Sequence, residues 1–301
     1  MSTLNGPSST ADPGRLPRLA TSASMAVALI LIAMKGAAWA ITDSLSLLTS
    51  LADSLFDVFA SAINFLAVRY AMKPPDDDHR FGHTSAEDIA ALAQSAFIAG
   101  SAAFISIQAV GRLVSPEPIY ASPISIVLMV VSLVLTTALV IFQQLVVRKT
   151  NSSVVKADAL HYVTDILTTL AVLAALALTW WKEWPWIDPA LALLISAYVF
   201  LSSWNVGKAG FDHLMNKEMS DEQRKLIETI ICGHAEVKGV HDMKTRHAGP
   251  KAFIQFHLEL DGNMTLFRAH EISEELEAEL LKHFPTADII IHEDPGELYD
   301  R

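Results

Sequence analysis

The chain has 301 residues, 51% of them hydrophobic and only 18% charged, with a formal net charge of −11. That apolar excess is unusual for a soluble protein of this length; the net charge alone distinguishes no partner, but the share of it carried after Asn216 argues against nucleic acid. A single cysteine, Cys232, excludes an internal disulfide.

The first sixteen residues, rich in Ser, Pro and Gly, are expected to be disordered. Six apolar blocks follow: Leu19 to Ile41, Ser46 to Tyr70, Ile89 to Val114, Ile124 to Val147, Ala157 to Trp180, and Trp186 to Trp204. About 20 apolar residues suffice to cross a bilayer as a helix, so each block is expected to span one. The first is longer than the hydrophobic region of a signal peptide and contains Lys35, so it is expected to be retained, with Lys35 snorkelling to the interface. Arg15, Arg18, Arg69, Lys73, Arg80, Arg148, Lys149, Lys156 and Lys208 flank one set of span ends; only Arg112 and Lys182 flank the other. The positive side is expected to be cytoplasmic, which puts both termini in the cytoplasm of a multi-pass protein.

Between the second and third spans runs "KPPDDDHRFGHTSAED", which holds His79, His83 and the acids Asp76, Asp77, Asp78, Glu87 and Asp88. A connector needs polarity, but imidazoles four apart beside carboxylates are ligands for a divalent cation. The second span contains Asp53 and Asp57, and the fifth contains His161 and Asp165. Each pair is four residues apart and so lies on one helical face. A carboxylate in hydrocarbon costs about 2.5–3.5 kcal/mol even on the milder scale. Two facing helices would offer three oxygens and one nitrogen, a tetrahedral set for Zn²⁺. A buried polar cluster that locks helices, or a proton relay, would use the same residue types, but neither helix carries a basic partner at that depth. Asp158, nearer the cytoplasmic end, is expected at the interface.

After Asn216 the chain reads as a soluble domain with 18 acidic and 10 basic residues. Ser220-Asp221-Glu222 caps a helix. Gly239 to Arg246 and Ala252 to Leu260 read as strands. In the second, Ile254, Phe256, Leu258 and Leu260 face one way, while Phe253, Gln255, His257 and Glu259 face the other. An amphipathic helix from Leu266 to His283 and the strand "ADIIIHED" complete an αββαβ, α+β layer. No phosphate-binding loop or nucleophile–base pair appears in it, so an enzyme is not expected.

The motifs "DSLFDVFAS", "HRFGH", "ADALHYVTDI" and "IIIHEDP", with six spans and the αββαβ tail, resemble the cation diffusion facilitator family, in particular its bacterial ferrous-iron and zinc efflux branch. The likeness covers Leu19 to Pro295. It implies an α-helical membrane protein of six transmembrane helices (17–214), a metallochaperone-like cytosolic metal-binding and dimerisation domain (215–296), and a short tail (297–301), working as a homodimer in the bacterial inner membrane. By position it implies a transport site at Asp53, Asp57, His161 and Asp165, and a loop site at Asp76, His79 and His83. It also implies cytosolic sites at His241, His257, His270, His292 and Asp294. Glu293 and His247, where the family branch usually has Gln, add possible ligands, while His213, His234 and His283 match nothing and are expected at the surface. Ser85 and Asn216 stand where the branch usually has Lys and Asp, so a charged clamp between them is absent here.

The expected function is proton-coupled efflux of Zn²⁺, with Cd²⁺ and Fe²⁺ as alternates, across the lipid bilayer by a secondary transporter. A membrane metal sensor without transport is the rival, but a sensor has no use for four ligands in mid-membrane. An exporter of organic cations would favour an aromatic-lined cavity, whereas the Trp residues here cluster at span ends.

Overall fold

The structure, a computed structural model, describes residues 14–42, 45–115, 122–181 and 186–296. The tail 297–301 and most of the expected disordered start lie outside those residues, and α1 already begins at Arg15. The chain divides into two compact units, Met1–Gly210 and Phe211–Arg301.

The first unit is built from α1 (Arg15–Thr42), α2 (Leu45–Ala71), α3 (Ser85–Val114), α4 (Pro123–Thr150), α5 (Ser153–Trp181) and α6 (Ile187–Leu214), the last turn of α6 belonging to the second unit. All six are long and apolar enough to cross a membrane, so the protein is multi-pass. Hydrophobicity alone does not bring helices together in lipid, and small residues at the contacts let backbones approach. Ala20, Ser24 and Ala28 form the buried stripe of α1, and Ala91, Ser95, Ile98 and Ala102 that of α3. Gly207 of α6 lies so close to α3 that a Cβ there would stand 2.5 Å from Ser95 Oγ. Ser122 caps α4 by accepting from the Ser125 N–H, with Pro123 at the first helical position.

Helix α2 separates its faces sharply. Phe56, Phe59, Ile63 and Leu66 are exposed on one side, as suits hydrocarbon. Ser50, Ser54, Asp57, Ser61 and Asn64 recur at spacings of four and three, which aligns them in one polar seam along the helix. Ser54, Ser61 and Asn64 are each 1% exposed.

The second unit contains α7 (Asp221–Cys232), β1 (Gly239–Ala248), β2 (Lys251–Leu260), α8 (Leu266–His283) and β3 (Asp288–Pro295), the αββαβ order expected. Ser220 and Gln223 form a reciprocal capping box at α7. The sheet order is β1-β2-β3: β1 and β2 form an antiparallel pair, while α8 supplies the crossover that lets β3 run parallel to β2. Ile254, Phe256, Leu258 and Leu260 fill the core with Ile227, Ile231, Ile272 and Leu280. Each such buried side chain contributes on the order of 1.5–3 kcal/mol. The opposite face of β2 carries His257. Phe253, on that same face, is nevertheless buried, beneath the Arg246 guanidinium 4.0 Å from its ring centroid.

Candidate metal centres

The polar seam of α2 finds partners along its whole length. At its middle, Asp57 Oδ1 lies 3.0 Å from His161 Nε2 of α5, and Asp165 Oδ2, one turn further along α5, lies 3.8 Å from the same nitrogen. The three side chains offer ligand atoms all within 4.8 Å of one another, partly buried. Two oxygens and one nitrogen converging in an apolar bundle can chelate a divalent cation or share protons. Asp53 belongs to α2, and its side chain lies outside the described residues.

One turn from His161, Asp158 corrects an expectation. It is not interfacial: it is 1% exposed, inside the bundle. Ser24 of α1 donates to its Oδ2, as does Gln143 of α4 at 2.6 Å, and Asn64 of α2 donates to its Oδ1 at 2.9 Å. Asn64 also donates to Gln94 of α3. Five helices thus meet around one carboxylate. Its position near the start of α5 looks the same in sequence whether the residue faces headgroups or the bundle, so no sequence signal distinguished the two. Tyr162 ties this junction to the site above: its hydroxyl donates to Ser24 O, pairs with Ser61 Oγ at 3.1 Å, and its ring meets His161 edge-on.

Lys35 has partners that the sequence did not suggest. Its ammonium bonds Ser54 Oγ at 2.7 Å and Ser50 O at 3.3 Å, on the seam of α2. Helices α2 and α5 carry no basic residue at that depth, as expected, but α1 supplies one.

The connector between α2 and α3 folds around Asp76. Its Oδ1 accepts from the His79 N–H at 2.7 Å and from the Asp78 N–H at 3.2 Å, and lies 3.2 Å from His79 Nδ1. Oδ2 lies 3.2 Å from His83 Nε2. The His79 amide above all holds the Asp76 carboxyl below the usual carboxylate range, so it stays a charged acceptor. Gly82, at a φ of 89°, makes the turn that brings the two imidazoles to a centroid separation of 4.6 Å. His83 is buried against Tyr70, 4.7 Å away. Asp76, His79 and His83 again offer ligand atoms within 4.8 Å of one another. Glu87 and Asp88, from the same run, turn away from this site and accept from Ser152 and Ser153 at the start of α5.

In the second unit, strand register assembles a third group. Antiparallel pairing sets His241 opposite His257, and parallel pairing sets His257 opposite His292. An irregularity between His241 and Lys244, with Asp242 at a φ of 47°, lies at the end of that pairing. Asp294 Oδ2 lies 2.7 Å from His257 Nδ1 and 3.3 Å from His241 Nε2, and these three residues offer ligand atoms within 4.8 Å of one another. His292 flanks them, 4.6 Å from the His257 ring and 3.4 Å from Asp294 Oδ1. Glu259 lies 2.9 Å from His241 Nδ1, orienting that ring, a contact the sequence did not suggest. Two residues expected at this site are engaged elsewhere. His270 is largely exposed beside Glu274 on α8, and Glu293 accepts from Ser273 at 2.8 Å. His234 pairs with Glu275, and the His213 and His247 rings lie 5.7 Å apart.

Comparison with known proteins matches the cation efflux transmembrane domain family over residues 22–215 and the cation efflux protein cytoplasmic domain family over residues 219–296. The chain is 44% identical over 283 residues to the cation-efflux pump FieF of Klebsiella pneumoniae, covering 94% of both chains. It is 45% identical over 278 residues to FieF of Shewanella oneidensis, covering 92% of this chain and 94% of that one. Protein p34 of Rickettsia rickettsii is 43% identical over 285 residues, 93% of each chain. Among solved structures, the metal-bound C-terminal domain of the CzcD transporter from Thermotoga maritima matches 26% of this chain and 94% of its own, at 28% identity and a TM-score of 0.24.

Proposed function

Because the chain belongs to the cation efflux family, we propose that it exports divalent metal cations from the cytoplasm in exchange for protons, across the bacterial inner membrane. Zn²⁺ is the first cargo, with Cd²⁺ and Fe²⁺ as alternates. The observation that carries this reading is the convergence of Asp57, His161 and Asp165 on one point between two spanning helices. Acidic residues and an imidazole inside a membrane are costly and are kept for ions or protons that cross there.

Asp53, one helical turn before Asp57, completes the set as the fourth ligand. An ion arriving from the cytoplasm binds these residues, and rocking of the bundle opens the site to the other side. Protons then compete for the carboxylate and imidazole lone pairs, release the ion, and return with the carrier. The loop residues Asp76, His79 and His83, and the cytosolic residues His241, His257, His292 and Asp294, bind metal for regulation and for assembly of a homodimer rather than for passage. His270 and Glu293, each engaged with a neighbour, would have to turn to join them. Both termini lie in the cytoplasm on this reading, which the distribution of Lys and Arg supports.

The test is metal uptake into proteoliposomes under an imposed pH gradient, comparing Zn²⁺, Cd²⁺ and Fe²⁺. Asp57→Ala removes both a ligand and a charge from the site, and is expected to abolish flux while the protein remains folded. Flux like that of the wild type in this variant would refute the assignment.

A further inference from the structure

The approach of Lys35 to the seam of α2 poses a problem that a metal site alone does not explain. A fixed cation beside a cation-binding site lowers affinity for the cargo. A lysine so near the end of α1 could run along the helix towards polar surroundings. Its ammonium is instead held by Ser54 Oγ and Ser50 O, and Ser54 is 1% exposed. Ser54 and Asp57 stand three residues apart on the same face of α2, where Cβ atoms are about 5–6 Å from each other. Only two of the ammonium's three N–H groups have partners among the described residues. The lysine stem is long and flexible, so the head can move one helical turn without moving α1.

We propose that Lys35 is the built-in cation of the transport site, held on Ser54 while cargo is bound and moving onto the Asp57 carboxylate of the seam once it has left. This rests on the transport reading of Asp57, His161 and Asp165. A divalent ion outcompetes a single ammonium for those ligands, so Lys35 yields to cargo. On the return step the ammonium neutralises one carboxylate charge that would otherwise cross a low-dielectric region or require a further proton. Being tethered, it is always available, whereas a solute cation must be found in each cycle.

The experiment separates net transport from exchange in proteoliposomes holding the full-length protein. Net zinc flux requires the cargo-free return; exchange of labelled for unlabelled zinc, with saturating metal on both sides, does not. In Lys35→Met, net flux is expected to fall roughly tenfold or more while exchange changes by less than about twofold, because only the cargo-free carrier loses its compensating charge. The zinc concentration at half-maximal exchange is expected to fall, since a competitor is gone. Lys35→Arg, which keeps the charge, is expected to restore net flux. Ser54→Ala, which releases the ammonium towards Asp57, is expected to raise the half-maximal zinc concentration, and it tests the proposal even if Lys35→Met fails to fold. Equal loss of net flux and exchange in Lys35→Met would show a structural role and overturn the proposal, as would no change in either or an unchanged half-maximal zinc concentration in Ser54→Ala. Absence of both modes in the wild type would instead overturn the transport reading itself.

Discussion

Asp158→Ala removes the acceptor on which three side chains from three helices converge. Ser24 can turn its hydroxyl back to Ala20 O, 3.2 Å away, so it keeps a partner. Asn64 and Gln143 each keep one N–H bond, to Gln94 and Ser24, and lose the one to Asp158. Two N–H groups are therefore left unpaired. Side-chain hydrogen bonds inside membrane bundles average about 0.6 and reach about 1.7 kcal/mol, so the variant is expected to lose roughly 1–3 kcal/mol. At about 2–4 °C per kcal/mol for a chain of this size, the detergent-solubilised protein is expected to melt roughly 2–12 °C lower. Asp158→Asn keeps the acceptor for Asn64 but turns a donor towards Gln143, so about half that loss is expected. The opposing effect is the cost of a desolvated carboxylate without a basic partner, which either substitution relieves. If that cost dominated, both variants would melt higher than the wild type. An Asp158→Ala protein at or above the wild-type melting temperature would refute the hydrogen-bond argument.

Two further outcomes follow from the cytosolic unit. Asp294→Ala deletes the carboxylate that both His257 and His241 approach, and is expected to raise the metal concentration needed for activity without eliminating flux. Spin-label distances between cytosolic domains, with and without Zn²⁺, check it: a zinc-dependent approach is expected in the wild type and should be weakened in the variant. Arg268→Gln removes the guanidinium that Glu236 and Glu275 share with Glu271. Hydrogen bonds from Arg268 to Glu236, and from His234 and then Arg268 to Glu275, hold those two carboxyls below their usual range. Lowered folded values mean stabilisation that is complete above the unfolded pKa of about 4.3 and is lost as pH falls through the folded value. Hydrogen exchange of α8 in the full-length protein is therefore expected to be faster in Arg268→Gln at pH 7. The difference should shrink as the pH is taken down through the acid range, and a difference independent of pH would count against the linkage.

The spans and the tail were legible because their signals are local. Long apolar runs need no partner to be recognised, and the four-residue spacing of His161 and Asp165 fixes a shared face before any packing is known. The alternation in "FIQFHLEL" likewise separated the core face of β2 from the face that carries His257. What stayed hidden depends on how elements meet. Lys35 is about two turns into the second half of a helix whose orientation about its own axis only packing decides. Asp158 is polar in a stretch where polar residues commonly face headgroups. The pairing of His241 with His257 rests on strand register, including an irregularity at Asp242 that periodicity does not reveal. Glu293 alternates with His292 and Asp294 along β3, and the placement of α8 beside that strand, with Ser273 in reach, gave it a partner away from the histidines.

The seam of α2 constrains how a carrier built this way could move. From Ser50 to Asn64 its polar groups are paired with Lys35 of α1, His161 and Tyr162 of α5, Asp158 of α5 and Gln94 of α3. Withdrawing α2 as a rigid body would break all of these at once, with no water in hydrocarbon to take their place. A motion that pivots near the Asp158 junction avoids this, because displacements there stay small while those around Lys35 and Ser54 grow with distance along the helix. The junction has carboxylate, amide and hydroxyl groups drawn from five helices, and each tolerates only a narrow geometry. The Lys35 end has a flexible stem and, in the role proposed for it, a donor that passes from Ser54 to Asp57 without leaving the seam. On the proposed cycle, tightness at one end and slack at the other direct the opening towards the Lys35 end. Asp57, His161 and Asp165 lie between the two, where on that cycle a modest change in helix separation is enough to loosen their hold on an ion.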